Sequence, residues 1–221
     1  MTTTPVTKPW WLVPAGLILL AFVPVMFGAF RLTQLTVGAE VTTENARFFA
    51  SPVPVVLHVI GATVFCVLGA FQFATALRRK RPRWHRIAGR IVLPAGLVAA
   101  LSGMWMAVFY PHPPGVGPLL TGLRLLFGTA MAVSLVLGFR AIRRRDIGRH
   151  RAWVTRGYAI GIGAGTQFFT FAPWVLLVGQ PGELAEAGLH AAGWLINLAV
   201  AEWVIRRSRR PVRAPRVLAA R

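Results

Sequence analysis

With 221 residues, 55% of them hydrophobic, 14% charged and a mean hydropathy of +0.58, the chain is too apolar for an ordinary soluble domain and reads as a polytopic membrane protein. A formal net charge of +19 would by itself suit nucleic acid, but the basic residues sit in short clusters between long uncharged runs, which is a membrane topology and not a nucleic-acid surface. Cys66 is the single cysteine and lies inside an apolar run, so one chain can build neither a disulfide nor a cysteine-ligated metal site.

A bilayer core takes about 20 apolar residues per helix. Six segments qualify, at roughly 10–30, 54–77, 86–109, 118–139, 152–178 and 184–205, giving an all-α single membrane domain followed by a basic tail over 206–221. Of 25 Lys and Arg residues, 22 fall in the N-terminal tail, in the second-to-third and fourth-to-fifth connections, or beyond the sixth span. Six crossings place all of these on one side, which the positive-inside rule makes cytoplasmic, with both termini there. The exceptions are Arg31, Arg47 and Arg124.

The first segment follows Lys8 as a signal peptide would, but it is long and no small-x-small cleavage site follows, so it is read as a span. Trp10 and Trp11 suit the headgroup layer, Pro14 and Pro24 should bend it, and it reads as peripheral to any chemistry. The outer connection over 31–53 contains Glu44-Asn-Ala-Arg-Phe-Phe49, a short interfacial helix or a lid. The second span carries His58 and Gln72, which helical geometry places about 40° apart around the axis and about 21 Å apart along it. Polar groups in lipid are costly, so this face should line the bundle interior.

Two connections repeat at a constant offset of 65 residues: Ala76-Leu-Arg-Arg-Lys-Arg-Pro-Arg-Trp-His-Arg86 and Ala141-Ile-Arg-Arg-Arg-Asp-Ile-Gly-Arg-His-Arg151. They read as two helical hairpins turning on the cytoplasmic side. The third span then runs His85, Gly89, Gly96, Gly103, with Pro94 expected to kink it, and the fifth runs His150, Gly157, Gly161, Gly165. Such stripes let helices pack closely, or leave a groove for a flat or bulky ligand. The fourth span has Arg124 six residues inside its outer end, near His112 of the preceding loop. In the sixth, Glu186, His190 and Asn197 share one face, and Glu202 can pair with Arg206 one turn on.

Sorted by depth, His58, Arg124, His190 and His112 form an outer layer, and His85, His150, Gln72 and their flanking arginines an inner one. Stacked pairs, His58 with His190 and His85 with His150, are the ligand set for haem b in transmembrane electron transfer, with arginines against the propionates and a quinone or other redox partner. The other reading is a binding or transport site for an anionic lipid or small solute, in which Arg86, Arg90, Arg151 and Arg156 join His85 and His150 in a basic pocket. In a third, the His-Arg motifs only fix helix ends. No His-Glu-x-x-His, nucleophile elbow or phosphate-cradling glycine loop between strand and helix occurs, so no catalytic residue is assigned.

Residues 50 to 170 or so resemble the bacterial predicted integral membrane proteins of domain of unknown function family 2306. The resemblance rests on His58 with Gly69-Ala-Phe-Gln-Phe73, on His85-Arg86-x-x-Gly89-Arg90, and on His150-Arg-x-Trp153-x-x-Arg156-x-Tyr158-Ala159. It implies a bacterial cytoplasmic membrane and a core bundle of the second to fifth spans, and carries no activity. Where that family often has a further arginine, this chain has Gln167 and Phe168.

Overall fold

A computed structural model describes residues 9–113 and 116–208. Lys8 and residues 209–221 of the basic tail, both placed above from sequence alone, lie outside the described residues. Among the described residues the fold is helical with no strand: α1 (Leu12–Val37), α2 (Ala46–Ala50), α3 (Pro52–Ala70) with a 3₁₀ turn at Phe71–Phe73, α4 (Thr75–Lys80), α5 (Pro82–Phe109), α6 (Pro118–Arg143), α7 (Ile147–Gly161), α8 (Gly163–Leu177) and α9 (Glu183–Ser208). Five helices are long and apolar enough to cross a membrane, and α7 with α8, bent by 40° at a short break, brings the number to six where the pair counts as one span. Outward-facing leucines such as Leu19, Leu176 and Leu184 are more than 70% exposed, as lipid-facing side chains are.

The break in the fifth span falls at Gly161-Ile-Gly163, where two glycines weaken the helix. Trp194 of α9 packs against Gly163, where a Cβ would lie 2.5 Å from its ring. Freed from the helical ladder, the Gly161 carbonyl receives the Cys66 thiol at 3.8 Å. The uninterrupted span expected over 152–178 is thus two helices.

The α3/α5 and α6/α7 pairs are the two hairpins, and their turns are built differently. In the first, Pro82 excludes helical geometry at Arg81 (φ −131°, ψ 63°), which separates α4 from α5. In the second, α6 runs on to Arg143, Arg145 takes the left-handed region (φ 60°), and Asp146 caps α7 by accepting from the Arg149 amide at 2.9 Å. The following helices nonetheless begin in register. Arg81 and Asp146 are both N-caps, and the amides of His85 and His150 donate to their carbonyls at 3.2 and 3.0 Å.

The hairpins interlock at Phe65. Its ring lies between Gly96 of α5 and Gly161 of α7, residues again 65 apart, and a Cβ at either would sit 2.5 Å from ring carbons. Leu135 fills the space beside Gly96 and Gly157. Around this centre Tyr158 packs on Phe65 and Phe73 and donates its hydroxyl to the Cys66 carbonyl at 2.7 Å. The α9 helix docks on α7 and α8, where Asn197 donates to the Ala159 carbonyl and Thr166 donates to Asn197. Glu202 takes Arg156 of α7, Nε to Oε1 at 2.5 Å and Nη2 to Oε2 at 3.1 Å, instead of the Arg206 expected from helical spacing. A long-range bidentate fork outcompetes an exposed i, i+4 pair.

The first helix packs on α3 and α8. Pro24 has no N–H to give the Leu20 carbonyl, and that carbonyl abuts Gly165, where any Cβ would collide with it.

Candidate functional site

A cavity of about 460 Å³ opens inside the bundle, in the half of the membrane opposite the arginine-rich connections. His58, Arg124 and His190 all line it. They follow the starts of α3, α6 and α9 by six, six and seven residues, which puts all three about 9–11 Å down their helices. They come from different helices and meet as one layer. The α1 helix, expected to be peripheral, forms part of the wall through Ala21, Pro24, Val25 and Gly28.

His58 is seated against Gly103 of α5, and its Nδ1 lies 2.9 Å from the Ala99 carbonyl with Ser102 Oγ at 3.4 Å. Because a carbonyl only accepts, Nδ1 carries the proton and Nε2 keeps its lone pair. His190 repeats the posture: Nδ1–H donates to the Glu186 carbonyl at 3.0 Å, and the ring is packed edge-on by Phe171 and flanked by Trp194. Neither Nε2 has a hydrogen-bond partner among the described residues. His112 is tied down by Nε2, to the Ala107 carbonyl at 3.0 Å and Thr121 at 3.3 Å.

Arg124 lines the cavity without a hydrogen bond or ion pair among the described residues, although Glu186 and Arg47 lie within electrostatic range. At the mouth, α2 presents Arg47 and Phe48. The Phe48 ring is covered by the guanidinium groups of Arg31 at 4.3 Å and Arg47 at 4.7 Å and meets Tyr110 edge-on. Arg47 donates to the Pro111 carbonyl at 3.2 Å, and Tyr110 donates to Ser51 at 2.5 Å. Burial, then the charge of Arg31, holds Arg47 below the usual guanidinium value. The walls are apolar, with Phe127 stacked on Trp194 at 4.5 Å and Phe65 and Met131 at the deep end. Gln167 donates to the His190 carbonyl at 3.2 Å and sits between this cavity and an adjoining hollow of about 360 Å³ beside α1.

The inner residues line no part of this cavity. Gln72, on the 3₁₀ turn, faces Gly89, just as His58 faces Gly103 fourteen residues along α5, so both side chains turn toward α5. His85 and His150 lie within electrostatic range of one another. His150 Nδ1 donates to the Gly138 carbonyl at 2.9 Å, whereas His85 Nδ1 and Gln72 Nε2 are buried without partners among the described residues. Arg86 is exposed, and Arg156 is spent on Glu202. The glycine stripes are mostly seats for protein side chains: Gly96 and Gly161 for Phe65, Gly157 for Leu135, Gly103 for His58. No group of three or more His, Cys, Asp or Glu side chains among the described residues is placed to hold a bare metal ion.

A family model described as predicted membrane protein (DUF2306) matches residues 55–205. The chain belongs to this family. No curated protein and no solved structure matches it. The part matched to DUF2306 carries His58, Arg124 and His190, while α1 and α2, which supply Arg31, Arg47 and Phe48 at the mouth, lie before it. Sequence reasoning singled out Arg47 and the stretch over 44–49 without giving either a place at the site, and it passed over Tyr110 and Trp194. A signal was present: the three basic residues that break the charge rule, Arg31, Arg47 and Arg124, come from three elements, α1, α2 and α6, and cluster at the cavity and its mouth.

Proposed function

We propose that the cavity binds haem b, with His58 of α3 and His190 of α9 as the residues that would hold its iron. The supporting observation is the pair of imidazoles at one depth in one cavity, each with Nδ1–H fixed to a main-chain carbonyl and Nε2 left as an unpartnered lone pair. Those hydrogen bonds to main-chain carbonyls set the tautomer and ring orientation a metal ligand needs. A volume of about 460 Å³ lies in the range of cofactor pockets, and the Phe127–Trp194 wall suits a flat macrocycle. Arg124 and Arg47 would neutralise the propionates. Haem with two axial histidines supplies one-electron redox chemistry; this chain's residues orient the ligands, exclude water and hold the acidic groups toward the mouth. With the arginine-rich face cytoplasmic, by the positive-inside rule, the site opens outward.

A second reading is favoured by Arg124 alone. A guanidinium with five donors and no hydrogen-bond partner among the described residues suits any apolar acid, including an anionic amphiphile without iron. Absorption spectra of the detergent-purified protein, oxidised and then dithionite-reduced, separate the two. Haem predicts a Soret band and sharp reduced α and β bands, lost in His58→Ala and His190→Ala and kept in His112→Ala. Protein that stays colourless after expression with ample haem removes the first reading and leaves the second.

A further inference from the structure

We infer that the two hairpins hold between them a second site, on the arginine-rich face, for a negatively charged phosphate group, bounded by Gln72, Arg78, His85, His150 and Arg151. It is independent of the haem reading and shares no residue with the outer cavity.

The first reason is unspent hydrogen-bonding capacity. Only three buried side-chain polar atoms among the described residues lack a partner, and two of them, Gln72 Nε2 and His85 Nδ1, belong to this cluster. Gln72 packs against α5 one turn after His85: a Cβ at Gly89 would lie 3.7 Å from Gln72 Oε1. A buried amide N–H₂ only donates, and leaving it unmatched costs free energy that an acceptor from outside the chain would recover. The break at Ala74 (ψ 96°) and the 3₁₀ turn before it put Gln72 there. An uninterrupted helix would continue α3 past this point.

The second reason is charge. Arg78 of the first hairpin lies within electrostatic range of Arg151 of the second, and His85 within range of Arg78 and His150. His150 is fixed through Nδ1 to Gly138, which leaves Nε2 for a ligand. Of the six acidic residues in the chain, two fall on this face, and each has an arginine partner: Asp146 with Arg149 at 3.4 Å, and Glu202 with Arg156. The like charges of Arg78 and Arg151 therefore act on each other without a carboxylate side chain among the described residues to offset them. Burial, then the charges of Arg151 and Arg79, holds Arg78 below its ordinary value, the cost that a bound anion would remove.

Phosphate fits better than carboxylate because its oxygens accept from a guanidinium fork, an imidazole and an amide at once. It has two sources, an anionic lipid headgroup or a free phosphate, and the site's place at the membrane surface admits both.

The full chain in detergent is tested by native mass spectrometry with dioleoylphosphatidylglycerol against dioleoylglycerol, which lacks phosphate, and by thermal shift with inorganic phosphate. The variants are Arg78→Gln/Arg151→Gln and Gln72→Leu, with Arg83→Gln/Arg143→Gln as a control of equal charge loss on the same face. The site predicts retention of phosphatidylglycerol over dioleoylglycerol that falls on the order of tenfold in Arg78→Gln/Arg151→Gln and measurably in Gln72→Leu, and less than twofold in the control. A thermal shift by inorganic phosphate that disappears in Arg78→Gln/Arg151→Gln, without lipid selectivity, makes the ligand a free phosphate. Equal loss in both arginine double variants reduces the effect to diffuse surface charge and overturns the proposal. So does the absence of both lipid selectivity and a phosphate shift in the unmodified protein.

Discussion

Gly96→Ala tests the interlock on which the bundle turns. Carbon atoms rest about 3.5–4.0 Å apart in contact. The new methyl would sit 2.5 Å from two Phe65 ring carbons and 2.8 Å from Leu135, so the ring must retreat by about 1 Å. Retreat is blocked, because Gly161 presses the other edge of a ring that is only 2% exposed. Overpacking of this kind costs about 1–3 kcal/mol, and the two-sided confinement puts Gly96→Ala near the upper end. The assay is reversible unfolding in mixed micelles, followed by the near-ultraviolet circular dichroism of the tryptophans. Phe65→Leu alone should cost about 1 kcal/mol as a cavity. In the double variant the smaller side chain makes room, so the two costs should fall short of additive by about 1–2 kcal/mol. Gly96→Ala as stable as the unmodified protein, or strict additivity with Phe65→Leu, refutes the reasoning.

Arg156→Gln and Glu202→Gln should each cost about 1 kcal/mol, since the pair is only partly shielded from solvent, and Arg206→Gln should cost nothing measurable in the same unfolding assay. Asp146→Ala removes the cap of α7 and should cost about 0.5–2 kcal/mol, whereas Asp146→Asn should restore most of it. Gly165→Ala drives a methyl into the backbone of α1, which has no rotamer to escape by. It should loosen α1 from α8, read as faster proteolysis near α1, while α3 to α7 keep their circular dichroism. Tyr110→Phe forfeits the hydrogen bond to Ser51 and should cost about 1 kcal/mol in the same unfolding assay, because that bond ties the α5 end to the base of α2.

The crossings were legible in the sequence because lipid imposes a local rule: about 20 apolar residues per span, with basic residues between. The 65-residue repeat likewise predicted that His85 and His150 open the second helix of each hairpin in register, which the two equivalent N-caps display. What escaped was whatever depends on which helix face meets which. Spacing alone made Arg206 the partner of Glu202; packing of α9 on α7 gave it Arg156. A stripe such as Gly96 or Gly161 looks the same whether it welcomes a ligand or a phenyl ring, and only the approach of Phe65 between the two hairpins decides. The first helix read as peripheral because its own residues are nearly all apolar, yet Pro24 and Gly28 wall the cavity.

The sequence by itself determined that this chain is an all-helical membrane protein, since hydropathy and charge act residue by residue along the chain. It also placed histidines and arginines at two depths, because depth follows from position along a span. Tertiary structure alone decided that His58, Arg124 and His190 share one cavity while His85, His150 and Gln72 cluster elsewhere. Lateral proximity is set by side-chain packing between helices distant in sequence, and nothing local encodes it.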